Sequence, residues 1–66
     1  MQIQVNGEGQ QFEDCTSLAE LLAASVQRTD GVAVAVNRVV VPRSRWASHT
    51  LAGGDQVEII QAVGGG

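Results

Sequence analysis

Only one stretch of this sequence carries a sustained helical period, and that restricts the fold more than any other feature. Leu18, Leu21, Leu22 and Val26 recur on one stripe, with Ala19, Ala23 and Ala24 adding helix propensity. Ser17 and Glu20 have capping-box spacing at its start, with Thr16 an equally good cap. Thr29, Asp30 and Gly31 close it, Gly31 being free to take a left-handed conformation. The rest of the chain reads as strand and turn. A sheet has two faces, and one helix covers only one of them. Such a chain leaves a sheet face to water or to a partner.

The strands read from period-two patterning and turn residues. Ile3 and Val5 alternate with Gln2, Gln4 and Asn6, the pattern of a strand with one wet face. The turn residues "NGEG" at 6–9 then let "QQFED" return as the second strand of a hairpin. This is not a dinucleotide fingerprint, since "GEGQQF" lacks the third glycine and no helix follows directly. "VAVAV" at 32–36 reads as a buried strand, turned by Asn37-Arg38 into "VVV" at 39–41, where Pro42 blocks further pairing. "RSRWASHTL" accommodates one helical turn, "AGGD" is a turn, and "QVEIIQAV" is the last strand. In that strand Val57 and Ile59 share one face, Glu58 and Ile60 the other. The expected architecture is α+β, in the order ββαβββ: a mixed sheet of about five strands crossed by one helix.

A chain of 66 residues makes one small domain, and at this size about 60% of the unfolded surface is buried. Hydrophobic residues at 44% against 17% charged place it with globular rather than disordered chains. A single cysteine, Cys15, and a single histidine, His49, provide neither an internal disulfide nor a zinc site, so no metal is expected. The lone thiol fits a reducing compartment. No apolar run approaches the ~20 residues of a membrane span, and the N-terminal segment lacks the basic and apolar regions of a signal peptide. A cytoplasmic protein without membrane contact is the expectation. The net charge of −3 argues against nucleic acid, whose binding rests on cationic contacts to phosphate.

Residues with chemical potential are few. Cys15 stands where a helix begins, which lowers a thiol pKa, but its nearest possible base, His49, is 34 positions away. It reads as a small buried hydrophobe. His49, flanked by Ser48 and Thr50, reads as a surface histidine, because a chain this short leaves little room for a water-excluding pocket. Glu13, Asp14 and Glu20 gather at the helix start, where carboxylates favour the macrodipole. Trp46 reads as a core anchor. Arg38, Arg43 and Arg45 form the one basic cluster, either a solvated loop or a recognition patch for an acidic partner.

The tail stands apart. Gly64, Gly65 and Gly66 have no Cβ, so they thread a channel too narrow for other residues and leave the last carbonyl unhindered. The terminal carboxylate, with a pKa of roughly 3.3–3.7, is ionised at neutral pH and inert until activated. An arm of four residues spans roughly 13–14 Å when extended, enough to enter another protein's active site. The chain therefore divides into a domain over 1–63 and a flexible glycine tail over 64–66 that reads as a substrate presented to an enzyme.

These features together resemble the β-grasp, ubiquitin-like fold, and within it the bacterial sulfur-carrier family of thiamin thiazole synthesis. The resemblance runs nearly end to end, through "MQIQVNG", "TSLAELL", "AVAVNRVVVPRSRW" and "GDQVEIIQAVGGG". Its most particular part is Val41-Pro42-Arg43 followed by Trp46, with Asn37, Gly54-Asp55 and the diglycine end. The resemblance implies a carrier and not an enzyme, with no bound cofactor. Gly66 would be adenylated by an E1-like adenylyltransferase that uses ATP, then converted to a thiocarboxylate by a persulfide sulfur donor. Thiazole synthase would take the sulfur. Gly64 and Gly65 would pass through the partner's channel, and Ile60, Arg43 and Arg45 would offer docking surface. A carrier for molybdopterin or tRNA thiolation shares the tail, as does a ubiquitin-like modifier.

Overall fold

The computed structural model describes residues 1–61. Five strands make one sheet: β1 (Gln2–Val5), β2 (Glu8–Gln11), β3 (Val32–Val36), β4 (Val39–Val40) and β5 (Gln56–Gln61). The α-helix, α1 (Leu18–Ser25), lies between β2 and β3, and a 3₁₀ helix over Arg43–Ser48 lies between β4 and β5. The spatial order is β2-β1-β5-β3-β4. β5 runs parallel to β1 and antiparallel to β3, so the last strand in sequence is the centre of a mixed sheet.

Each hairpin turns on two residues with positive φ. Asn6 (φ 50°) and Gly7 (φ 84°) join β1 to β2, while Asn37 (φ 51°) and Arg38 (φ 69°) join β3 to β4. Two left-handed central residues define the turn whose twist matches that of its strands. Because Asn6-Gly7 suffices, Glu8 and Gly9 belong to β2 and not to the four-residue turn read from "NGEG". β4 stops at Val40, yet Val41 still donates its N–H to the Val34 carbonyl at 2.9 Å before Pro42 ends the ladder.

α1 starts where its capping box says. The Ser17 hydroxyl accepts from the Glu20 N–H at 3.1 Å, and the Ser17 N–H donates to Glu20 Oε1 at 2.9 Å. The Thr16 hydroxyl turns back to the Glu13 carbonyl instead of capping. The helix ends at Ser25, six residues before Gly31, with Val26 extended at φ −132° and ψ 149°. Beyond Val26 the next positions at helical spacing are Thr29 and Asp30, so no apolar stripe remains to hold another turn against the sheet.

Leu18, Leu21 and Leu22 of α1 pack on Ile3, Val5, Val34, Val36 and Val57 of the sheet, with Val41, Trp46 and Leu51 closing the core's border. β3 corrects the expectation of a buried strand. Val34 and Val36 are buried, but Ala33 is exposed and Ala35 only half-buried, because nothing among the described residues covers their face. Trp46 is the anchor expected of it: the indole is buried, and its N–H donates to the Val41 carbonyl at 2.9 Å.

Candidate functional site: the open sheet face and the strand leading to the tail

Gly64, Gly65 and Gly66, and the domain boundary at 63, lie outside the described residues. The strand that leads to them does not. β5 delivers the chain from the middle of the sheet as far as Gln61, which pairs with Val32.

The uncovered face has two halves. Register places Ile60 beside Ala33, and Ala35 between Glu58 and Val40. Ile60 is 64% exposed and Val40 72%, so the half over β5, β3 and β4 is an apolar patch with one carboxylate in it. The half over β1 and β2 carries Gln2, Gln4, Gln11 and Gln56, polar but uncharged. Small alanines between large exposed side chains make the patch accessible to a flat partner surface.

The arginines stand elsewhere. Arg43 and Arg45 lie on the 3₁₀ helix, which packs against α1 on the covered side of the sheet. Arg43 donates to the Thr29 hydroxyl, and its guanidinium carbon stands 5.5 Å from the Trp46 ring centroid, a cation–π distance. Arg45 and Arg38 are exposed. The resemblance implied Ile60, Arg43 and Arg45 together as docking surface. The fold instead gives Ile60 to one side of the sheet and the two arginines to the other.

Cys15 is exposed, with φ 68°, in the turn between β2 and α1. The expectation of a buried thiol fails because the residue closes a tight turn whose side chain points away from the core. Neither neighbour of His49 is arranged as a nucleophile. The Ser48 hydroxyl donates back to the Arg45 carbonyl at 3.2 Å, and Thr50 bridges to Ser17. His49 itself is half-buried, and its carbonyl accepts the Leu18 N–H at 2.8 Å. At the helix start, the Ser17 N–H, helped by the Ser17 hydroxyl, holds the Glu20 carboxyl below its ordinary value. No helix among the described residues is long and apolar enough to cross a membrane.

Two asparagines went unread as functional residues. Asn37 donates to Asp55 Oδ1 at 3.0 Å and accepts the Gln56 N–H at 3.0 Å, while Asp55 Oδ2 accepts the Ala52 N–H at 2.8 Å. The motif residues Asn37 and Asp55 thus meet in space and set where β5 begins. Asn6 does the same further along: its Oδ1 accepts the Ile59 N–H at 2.8 Å and its Nδ2 donates to the Ile59 carbonyl at 3.3 Å. Turn residues with positive φ were the available signal, but their partners lie far along the chain.

A mixed five-stranded sheet with one helix on one face, its central strand leading to the tail, defines the ubiquitin-like β-grasp class. The ThiS family model matches residues 3–66. The sulfur carrier protein ThiS of Escherichia coli K12 is 39% identical over 66 residues, covering both chains completely. The thiazole synthase of Magnetococcus marinus is 36% identical over the same 66 residues, which make up 20% of that protein. The crystal structure of the thiamine biosynthesis protein ThiS from Geobacter metallireducens superposes with a TM-score of 0.85 at 32% identity, each chain fully covered. The chain belongs to the ThiS family.

Proposed function

We propose that this protein carries sulfur for the thiazole ring of thiamin on its Gly66 carboxylate and catalyses nothing itself. The observation that carries this reading is the match to the ThiS family, which extends through residue 66. The carboxylate oxygen attacks the α-phosphorus of ATP in the active site of an E1-like adenylyltransferase, and pyrophosphate leaves. The terminal sulfur of a persulfide donor then attacks the acyl carbon, expelling AMP. A second thiol cleaves the resulting sulfur–sulfur bond, leaving a thiocarboxylate on Gly66 and a disulfide on the donor. Thiazole synthase receives the sulfur. Support for that last partner comes from relatives in which a segment similar to this whole chain is part of a thiazole synthase.

The site residues take simple roles. Gly64 and Gly65, lacking Cβ atoms, pass through the partner's channel. The apolar patch around Ile60 and Val40 is the docking face, where burial of exposed aliphatic side chains contributes roughly 25 cal/mol per Å². Arg43 and Arg45 offer a second, cationic contact on the other side. A lone, unpaired thiol suits work in the reducing cytoplasm.

The test is a one-residue extension. Adding alanine after Gly66 moves the reactive carboxylate by roughly 3.3–3.6 Å, and misplacement of ~1 Å can already cost about a hundredfold in rate. ATP–pyrophosphate exchange with the cognate adenylyltransferase is therefore abolished, while the thermal midpoint is unchanged. Exchange at the parent rate by the extended chain refutes the assignment of Gly66.

A further inference from the structure

We infer that Asn6 is a clasp that holds the exit half of β5 on its β1 side, and so a positioning residue for the carboxylate that follows. The inference rests on the carrier reading above. β5 has two neighbours, but they do not flank it equally. On the β3 side it is paired to its last residue, from Val57 opposite Val36 to Gln61 opposite Val32. On the β1 side pairing stops at Val5 opposite Val57, because β1 turns away at Asn6-Gly7 with positive φ at both residues. The Asn6 N–H makes the last backbone contact, to the Val57 carbonyl at 2.9 Å. Past that point the β1-side N–H and carbonyl of Ile59 would face solvent.

The Asn6 side chain takes both. Its amide is a miniature peptide group, with one acceptor and one donor set as a neighbouring strand would set them. Oδ1 accepts the Ile59 N–H at 2.8 Å and Nδ2 donates to the Ile59 carbonyl at 3.3 Å, across 53 residues of sequence. The clasp thus extends two-sided pairing of β5 by two residues beyond the end of β1. It does so at a residue that must also adopt φ 50°, a conformation asparagine tolerates better than other side-chain-bearing residues. Gly66 lies seven positions after Ile59, a span of at most roughly 23–25 Å. If Ile59 loosens on its β1 side, β3 alone holds β5 from Glu58 to Gln61, and the strand that leads to the carboxylate is held less rigidly. Ile60, on the docking face, stays paired with Ala33 of β3, so the effect falls on kcat and not on KM.

Asn37 supplies the control, since it sits at the same turn position, with φ 51°, and clasps the opposite end of β5 at Gln56. In Asn6→Gly and Asn37→Gly, glycine keeps the positive φ and removes the amide. Both variants are expected to fold with similar losses in thermal midpoint. Asn6→Gly alone should raise the amide exchange rate of Ile59 about tenfold or more and lower kcat for pyrophosphate exchange by about ten- to a hundredfold at unchanged KM. Asn6→Asp retains the acceptor for the Ile59 N–H, so it recovers part of the loss even if the glycine variant folds poorly. A kcat for Asn6→Gly equal to the parent's, or an equal kcat loss in Asn37→Gly, overturns the clasp as a positioning device. Absence of exchange by the parent protein itself overturns the carrier reading instead, and with it the inference.

Discussion

Replacing Trp46 by benzothienylalanine keeps the bicyclic ring and puts sulfur where the indole carries N–H, which isolates one hydrogen bond. Trp46 is 6% exposed and donates to the carbonyl of Val41, itself 7% exposed, at 2.9 Å. The isostere leaves that acceptor without its donor in a site water barely reaches. A net hydrogen bond contributes about 0.5–1.5 kcal/mol, and a stranded buried acceptor costs about 1–3 kcal/mol, so a loss of about 1–2 kcal/mol is expected. A domain of this size has about 3–10 kcal/mol in total, so the variant stays folded. At about 4–8 °C per kcal/mol, the midpoint drops by about 4–16 °C. Far-ultraviolet circular dichroism reads the melt, since the only tryptophan has been replaced. Trp46→Phe loses the same bond and part of the ring packing, and melts lower still. An isostere melting within about 2 °C of the parent would show that the bond contributes nothing measurable to stability.

The Glu20 carboxyl is held below its ordinary value of 4.5, so its stabilisation is present above that pH and fades as the pH falls through the lowered value. Thermal midpoints of the parent should therefore fall towards those of Glu20→Gln on acidification, and a difference independent of pH contradicts this. Ile60→Asp, on the open face, should change stability by less than about 0.5 kcal/mol while raising the KM of adenylyltransferase for the carrier at least about tenfold, a tenfold change being about 1.4 kcal/mol of binding. An unchanged KM in that assay excludes Ile60 from the docking face. Cys15→Ser should leave thiocarboxylate formation, read by intact mass, at the parent level. Loss of that product in a folded variant makes Cys15 a participant.

Signals that act over three or four residues could be read directly, as the two ends of α1 illustrate. Ser17 and Glu20 carry the whole start signal between them, and the helix begins there. Gly31 was a plausible stop, but α1 is held by packing, and its last core residue is Leu22, with the apolar stripe ending at Val26. "VAVAV" was legible as a strand; which of its faces lies open was not, since that depends on the sheet order and on where α1 lies. Cys15 followed the general burial of free thiols in the reading and a local turn in the structure. The two asparagines illustrate the remaining limit. Their positive φ belongs to the hairpins, but Asn6 meets Ile59 and Asn37 meets Gln56 only once β5 is in place.

The central position of β5 also governs how the molecule comes to exist. Without β5 the sheet falls into two separate ribbons, β1-β2 and β3-β4, because no pairing joins β1 to β3. An isolated two-stranded ribbon is marginal in water at best. Joining Gln4 to Gln56 closes a loop spanning most of the chain, an entropic debt met only when the central strand arrives. Long-range closure of this kind slows folding, and a single domain this small folds as one cooperative unit. A nascent or clipped chain that lacks β5 therefore has no native sheet with which to occupy a partner. Being folded and possessing the strand that leads to the C-terminal glycines are the same condition.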